Sequence, residues 1–393
     1  MSVNNLEFKQ VSTVLAAIHN QTTGQTAAAP VNLAEFISMA QTTLKCGYDP
    51  IMNAISQVIG RTIISVRPYN AKFRGLEMDA TRWGGITRKI QFIEEAPEDA
   101  KFMQLADGST IDPWKVSKFK PLETHFYGRD LYSKTKTIFT KQLDTAFEGP
   151  AQLGSFMTGA MTHFSNLREH WLEDLKRAIV CNFIAAKYTA DTASANGQVV
   201  HLITEYKAET GESVTAATVY KKENFKAFIE WFYAKLNTLA RRMAARTEAY
   251  QLKITDKPIM RHTPADALRV YMLSDFMDKI NAMGLANVYN DNYLTAADRE
   301  GVDFWQSFDS PAAVQITPAY IDSDGEIAAA EAVSLANVIG VMFDRDAMGY
   351  TITHDVLGTS PYNQTGEYYN LTANMELQLM NDITEKGIIF VLD

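Results

Sequence analysis

The chain has 393 residues, of which 46% are hydrophobic and 21% charged, and its net charge is −9. That length can bury a large core and suggests two or three domains, while the acidic balance argues against a protein that coats itself in nucleic acid. No run of eighteen apolar residues occurs, so no membrane-spanning helix is expected, and Met1-Ser2-Val3-Asn4-Asn5-Leu6-Glu7 lacks the basic and apolar regions of a secretion signal.

Residues 1–62 read as a tethered arm. Leu6, Val11, Val14, Leu15 and Ile18 give one short amphipathic helix that needs another surface to pack on. The stretch from Gln21 to Pro30 is a low-complexity linker. Asn32 caps a helix carrying Leu33, Phe36, Ile37, Ala40 and Leu44, and Asp49-Pro50 opens another with Ile51, Ile55, Val58 and Ile59. Cys46 and Cys181 stand far apart and read as small buried hydrophobes in a reducing compartment, where the sequons at Asn20, Asn363 and Asn370 carry no glycan meaning.

Residues 63–147 read as a thin, basic ribbon. Strands are expected at Ile63 to Arg67, Ile86 to Ile93, Val116 to Leu122 and Thr135 to Phe139, with turns at Asp107-Gly108, Asp112-Pro113 and Gly128. Few apolar residues interleave with Lys and Arg, so such a ribbon is marginal alone and should lie on another surface. Residues 61–141 hold 15 Lys and Arg against 10 Asp and Glu; the remainder holds 22 against 36. A basic segment on an acidic body suits one copy lying across another, and chance clustering on a solvated face is the competing reading. Arg67, Tyr69, Lys72, Phe73, Arg74, Arg82 and Trp83 interleave cations and rings as single-strand binders do, but an inter-subunit contact fits the alternating strand residues around them better. Arg82, Trp83, Ile86, Arg88, Ile90, Phe92 and Trp114 are the candidate inter-subunit contacts.

One long helix is expected over 155–188, with Met157, Met161, Phe164, Trp171, Leu172, Leu175, Ile179 and Phe183 on one face. His163, Asn166, Glu169, His170, Glu173 and Lys176 fall mostly on the other. A strand at Val199 to Ile203 and a turn at Thr210-Gly211-Glu212 precede a helix over about 221–247, which points Phe225, Phe228, Ile229, Phe232, Leu236, Leu239 and Met243 inward. Arg269 to Leu273 reads as a strand feeding a helix from Asp275, Val314 to Ile316 as a strand, and Asp322 to Gly325 as a turn. Val338 to Tyr350 and Met375 to Asp382 read as strands, and Gly387 to Leu392 closes the chain as a strand tied into a sheet. Strands and helices mix without βαβ regularity, so the class is α+β.

No chemistry emerges from this order. Glu169, His170 and Glu173 lack the Glu-x-x-His spacing of a helical metal cluster and fit a solvated face. His262 and His354 have no local ligand partner. Asp322-Ser323-Asp324-Gly325-Glu326 places its Gly too early for a calcium loop. No Gly-x-Ser-x-Gly, P-loop or dinucleotide fingerprint occurs. No catalytic, cofactor-binding or metal residue is therefore assigned.

The blocks Tyr48-Asp49, Asn53 to Val58, Arg82-Trp83-Gly84-Gly85-Ile86-Thr87-Arg88-Lys89, His125 to Gly128, Thr137 to Phe139, Gln142 to Asp144, Phe147, Arg261 to Pro264, Phe304 to Ser307 and Thr384 to Gly387 resemble those of tailed-bacteriophage major capsid proteins of the Hong Kong 97 type. The resemblance covers nearly the whole chain and identifies an architecture, not a reaction. It implies an N-terminal arm at 1–62, an extended loop at 63–147, a peripheral domain at 148–217 and 346–393 with its spine helix, and an axial domain at 218–345. It further implies hexamers and pentamers closing into an icosahedral shell assembled in the host cytoplasm, with scaffolding and portal proteins as partners. Packaged double-stranded DNA would be contacted non-specifically, and no membrane would be involved. Two competing readings stand beside this one, and only the first shares the fold. An encapsulin-like compartment would enclose protein cargo instead of DNA, and a soluble enzyme would act as an isolated monomer, although no nucleophile and base are paired here.

Overall fold

The computed structural model describes residues 8–63, 72–73, 75–78, 87–94, 105–114, 116, 118–255, 257–282, 298–328 and 331–393. The strand expected at Ile63 to Arg67 falls outside these residues except for Ile63, which ends a helix.

The arm consists of α1 (Phe8–Thr23), α2 (Leu33–Leu44) and α3 (Tyr48–Ile63). Asn32 caps α2: its side chain accepts from the Glu35 N–H at 2.9 Å, and the Glu35 carboxylate accepts in return from the Val31 N–H and the Asn32 amide. Pro50 sits in the first turn of α3, where its missing N–H is harmless. Val11, Leu15 and Ile18 bury against Phe36, Ala40, Ile51 and Ile55, so the arm packs on its own helices and on the start of the long helix. Leu33 and Ile37 of the expected α2 stripe remain exposed, as does Cys46, contrary to the buried role expected for it.

The region expected as one ribbon divides. β1 (Thr87–Phe92) pairs antiparallel with β2 (Pro121–Phe126), and β3 (Gly128–Phe139) leaves them to join a different sheet. The strand expected from Val116 starts only at Pro121, the first strand position, where a proline costs no ladder bond. Segment 72–78 also departs from expectation. Phe73 is fully buried, edge-on to Tyr271 at 5.4 Å and beneath Arg177, so it belongs to the chain's own core and not to an inter-subunit or nucleic-acid face.

After the short α4 (Thr140–Ala146), α5 (Pro150–Ala193) runs 44 residues, about 66 Å at 1.5 Å per residue. Met157, Phe164, Leu172, Leu175, Ile179 and Phe183 are buried as expected. Glu173 and Lys176, placed on the solvated side by periodicity, are buried too. Glu173 accepts from Arg177 at 2.5 Å while that guanidinium lies 3.7 Å from the Phe304 ring centroid, and Lys176 sits over Tyr350. The helix is covered on more than one side.

β4 (Val199–His201) is shorter than expected because Leu202 and Ile203 begin α6 (Leu202–Thr210), which Gly211 ends in the left-handed conformation at φ 77°. A short apolar run does not distinguish strand from helix by itself. α7 (Lys222–Ala244) buries all seven expected residues, and β5 (Leu268–Leu273) feeds α8 (Ser274–Ala282). Then follow β6 (Asp298–Val302), β7 (Val314–Ile316), β8 (Val333–Leu335), β9 (Val338–Asp344), β10 (Met348–Thr359), β11 (Tyr368–Asn381) and β12 (Gly387–Val391).

The central sheet has the order β4-β12-β9-β5-β6, parallel at β12–β4 and β5–β6 and antiparallel elsewhere. The closing strand is therefore interior to a sheet, and every residue of β12 is buried. A second sheet, β10-β11-β3, is antiparallel throughout. Two apolar clusters result: a large one between central sheet, α5 and α7, and a smaller one joining the arm to the first half of α5.

Candidate assembly surface

The β1–β2 ribbon has two faces, set by strand alternation. Lys89 and Gln91 point to the body; Arg88, Ile90 and Phe92 point away and are exposed. The register continues this division, since Arg88 pairs with His125, Ile90 with Glu123 and Phe92 with Pro121 on the outward face.

The body face is held by buried charge. Lys89 Nζ donates to Asp382 Oδ2 at 2.8 Å and also to the Glu385 carboxylate. Arg261 donates to that same Glu385, to Thr384 Oγ1 at 2.6 Å and to Gln91 Oε1 at 2.6 Å. Lys187 Nζ, fully buried on α5, donates to the Glu385 and Tyr250 carbonyls at 2.7 and 3.1 Å. Burial alone would raise the Asp382 carboxyl, but the Lys89 and Arg261 cations, with hydrogen bonds from Lys89 and Thr384, outweigh it and hold it below the ordinary carboxylate value. Burial drives Lys187 well below the ordinary lysine value and Lys386 down to about 8. Two residues past the end of β1, the Glu94 N–H donates to the Pro258 carbonyl at 2.8 Å and its carboxylate pairs with Arg246.

The outward face and the segment beyond it expose several apolar side chains among their charged ones. Phe92 lies edge-on to Phe119 at 5.8 Å, and both are exposed. Trp114 is 84% exposed, Phe119 88% and Val116 76%, with Leu105 and Ile111 also in solvent. Arg88 makes only a half-exposed pair with Glu123 at 3.1 Å. Of the seven candidate contacts, the structure thus gathers Arg88, Ile90 and Phe92 on one ribbon face and leaves Trp114 exposed in the adjoining segment; Arg82, Trp83 and Ile86 lie outside the described residues. Val116 and Phe119 were missed, although the alternation Trp114-Lys115-Val116 and the ring at 119 were visible. Lys89 and Gln91 were missed as fastenings because their partners stand some 170 to 300 positions away along the chain.

The family model described as Phi29-like phage major capsid protein matches residues 15–391. The chain belongs to that family. It is a structural protein of the phage virion, not an enzyme, and its copies form an icosahedral shell. Among solved structures, the chain is similar to one described as the capsid structure of Staphylococcus phage Andhra, with 8% identity, 84% of this chain and 86% of that one covered, and a TM-score of 0.54. It is also similar to one described as the head fiber and inner core protein gp22 of native bacteriophage P68, at 7% identity, 82% and 85% coverage and a TM-score of 0.52. At such identities the likeness is one of fold. The α+β class and the Hong Kong 97-type architecture are borne out. No curated protein matches the chain, and among the described residues no helix is long and apolar enough to cross a membrane.

Proposed function

We propose that the β1–β2 ribbon and the segment beyond it are the part of each capsid subunit that grips the next one in a ring. The observation that carries this is the concentration of uncovered apolar side chains, Ile90 and Phe92 on the outward face of a ribbon whose other face is fastened to the body, and Trp114, Val116 and Phe119 in the segment that adjoins it. Covering one such side chain contributes on the order of 2 kcal/mol. An exposed pair such as Arg88 with a neighbour's carboxylate adds about 0–1 kcal/mol and is screened by salt. Apolar contact therefore supplies most of the grip, and the basic excess of the region steers it onto an acidic body. Such a contact is heterologous and closes into hexamers and pentamers because the rotation closes.

In the same reading, 1–62 is the N-terminal arm, 63–147 the extended loop, 148–217 with 346–393 the peripheral domain and 218–345 the axial domain. The central sheet takes strands from both of the last two, which makes it the seam between them. Scaffolding and portal proteins serve as assembly partners, and an acidic inner wall lets packaged double-stranded DNA be held without sticking. Ile90→Ser, Phe92→Ser, Trp114→Ser, Val116→Ser and Phe119→Ser combined in one chain test the grip: soluble subunits that form no shells are expected in electron micrographs of the purified chain, and normal shells from that five-serine variant would refute it.

A further inference from the structure

Beside the ribbon root lies an apolar groove of about 460 Å³. Leu175 and Ile179 of α5 line it together with Phe126 and Tyr127, where β2 passes into β3, and with the loop from Ile316 to Ile327. Ile327 on its rim is 82% exposed. The same rim carries a turn in which Asp322 Oδ1 accepts from the N–H groups of Asp324 and Glu326, so that one short turn carries three carboxylates, with the Lys257 ammonium beside its Gly325.

We propose that this groove receives segment 114–119 of a neighbouring copy, an inference that rests on the ribbon reading above and gives it an address. The segment offers what the groove lacks. Trp114, Val116 and Phe119 are apolar and in solvent, and Lys118 and Lys120 between and beside them meet the acidic rim. Complementary charge of this kind fixes register and orientation more than it adds affinity. The chain's own segment does not fill the site. Phe126 stands at the groove, whereas Pro121 begins β2 about 17 Å away at 3.4 Å per residue. Trp114, Val116 and Phe119 lie beyond that paired end, where the Lys120 carbonyl still accepts from the Ile93 N–H, and reaching back would require breaking the β1–β2 ladder. A second copy, related by rotation, meets no such obstacle.

The test uses the full chain with Cys46→Ser, Val116→Cys and Ile327→Cys, oxidised after shells have formed. A non-reducing gel is expected to show a ladder up to pentamer and hexamer that neither single-cysteine chain gives; intact shells with this pair uncross-linked overturn the assignment. Should the cysteine pair prevent assembly, charge reversal decides. Asp324→Lys with Glu326→Lys is expected to lower shell yield about tenfold, as is Lys118→Glu with Lys120→Glu, and combining all four to restore it. Failure of the combination to recover yield overturns the groove while leaving the grip intact. Only normal shells from the five-serine variant above would remove both.

Discussion

Arg88 and Lys89 are adjacent cations on one strand, and the structure gives them opposite duties. Lys89 faces Asp382, whose side chain is 1% exposed, and Glu385, and is itself only a fifth exposed. Removing one partner of a buried pair costs about 3–5 kcal/mol because the remaining charge stays desolvated. Here Arg261 still faces both carboxylates and Thr384 still donates to Asp382, so Lys89→Met should cost about 2–3 kcal/mol, below that range. Arg88→Met removes a half-exposed pair and should cost less than about 1 kcal/mol. Urea unfolding of unassembled subunits measures both, and 1 M salt should erase the Arg88 effect while sparing most of that of Lys89. If the ribbon detaches as a unit, the Lys89 loss shows instead as faster amide exchange across 87–92 and 121–126. Two variants that match within about 0.5 kcal/mol and in exchange rates would mean that Lys89 does not fasten the ribbon.

Three further outcomes follow from local geometry. A methyl group at Gly387 would stand 2.6 Å from Phe183 and 3.2 Å from Lys187 on α5, so Gly387→Ala should cost about 1–3 kcal/mol in the same urea assay by overpacking. Lys386 loses its proton near 8 in the folded chain but near 10.5 unfolded; the folding penalty of its buried charge is complete below 8 and relieved above it, so subunit stability should rise between pH 8 and 9.5, and Lys386→Met should flatten that rise in chemical denaturation. Burial pushes the Cys181 thiol up to about 12 while Cys46 is exposed, so a thiol reagent should titrate one cysteine in native subunits and two after denaturation; two in the native state would contradict the packing of α5.

The legible parts of this fold are those whose periodicity speaks for one covering layer. α7 shows its stripe from Phe225 to Met243, and the all-apolar run at 388–392 announces an interior strand. What stayed illegible depends on distant partners. β3 reads as one more ribbon strand until Gly128 to Phe139 is seen paired with Leu379 to Tyr368. Glu173 and Lys176 read as solvated because a 3.6-residue stripe marks one buried face, and α5 is covered by strand and loop on others. On β1 the alternation was plain, but nothing local says which side meets the body, since the deciding carboxylates belong to the last turn before the closing strand.

That arrangement explains why a shell-forming chain keeps so much charge buried beneath a ribbon. A two-stranded ribbon is marginal alone and, if free to swing, would lose conformational entropy each time it docked. Fastening it beforehand through Lys89, Gln91 and Glu94 moves that loss from assembly into folding, so docking need only cover apolar side chains already held in place. Buried ion pairs add little net stability compared with hydrophobic packing, but their hydrogen bonds are directional and specify one geometry. If the ribbon is the grip, a closed shell requires a fixed angle between grip and body more than a tight grip. Replacing the network with well-packed apolar residues should therefore leave subunits as stable or more so, yet broaden the curvature of the shells they form. Electron micrographs showing a single particle size from such a variant would place the angle's origin elsewhere in the chain.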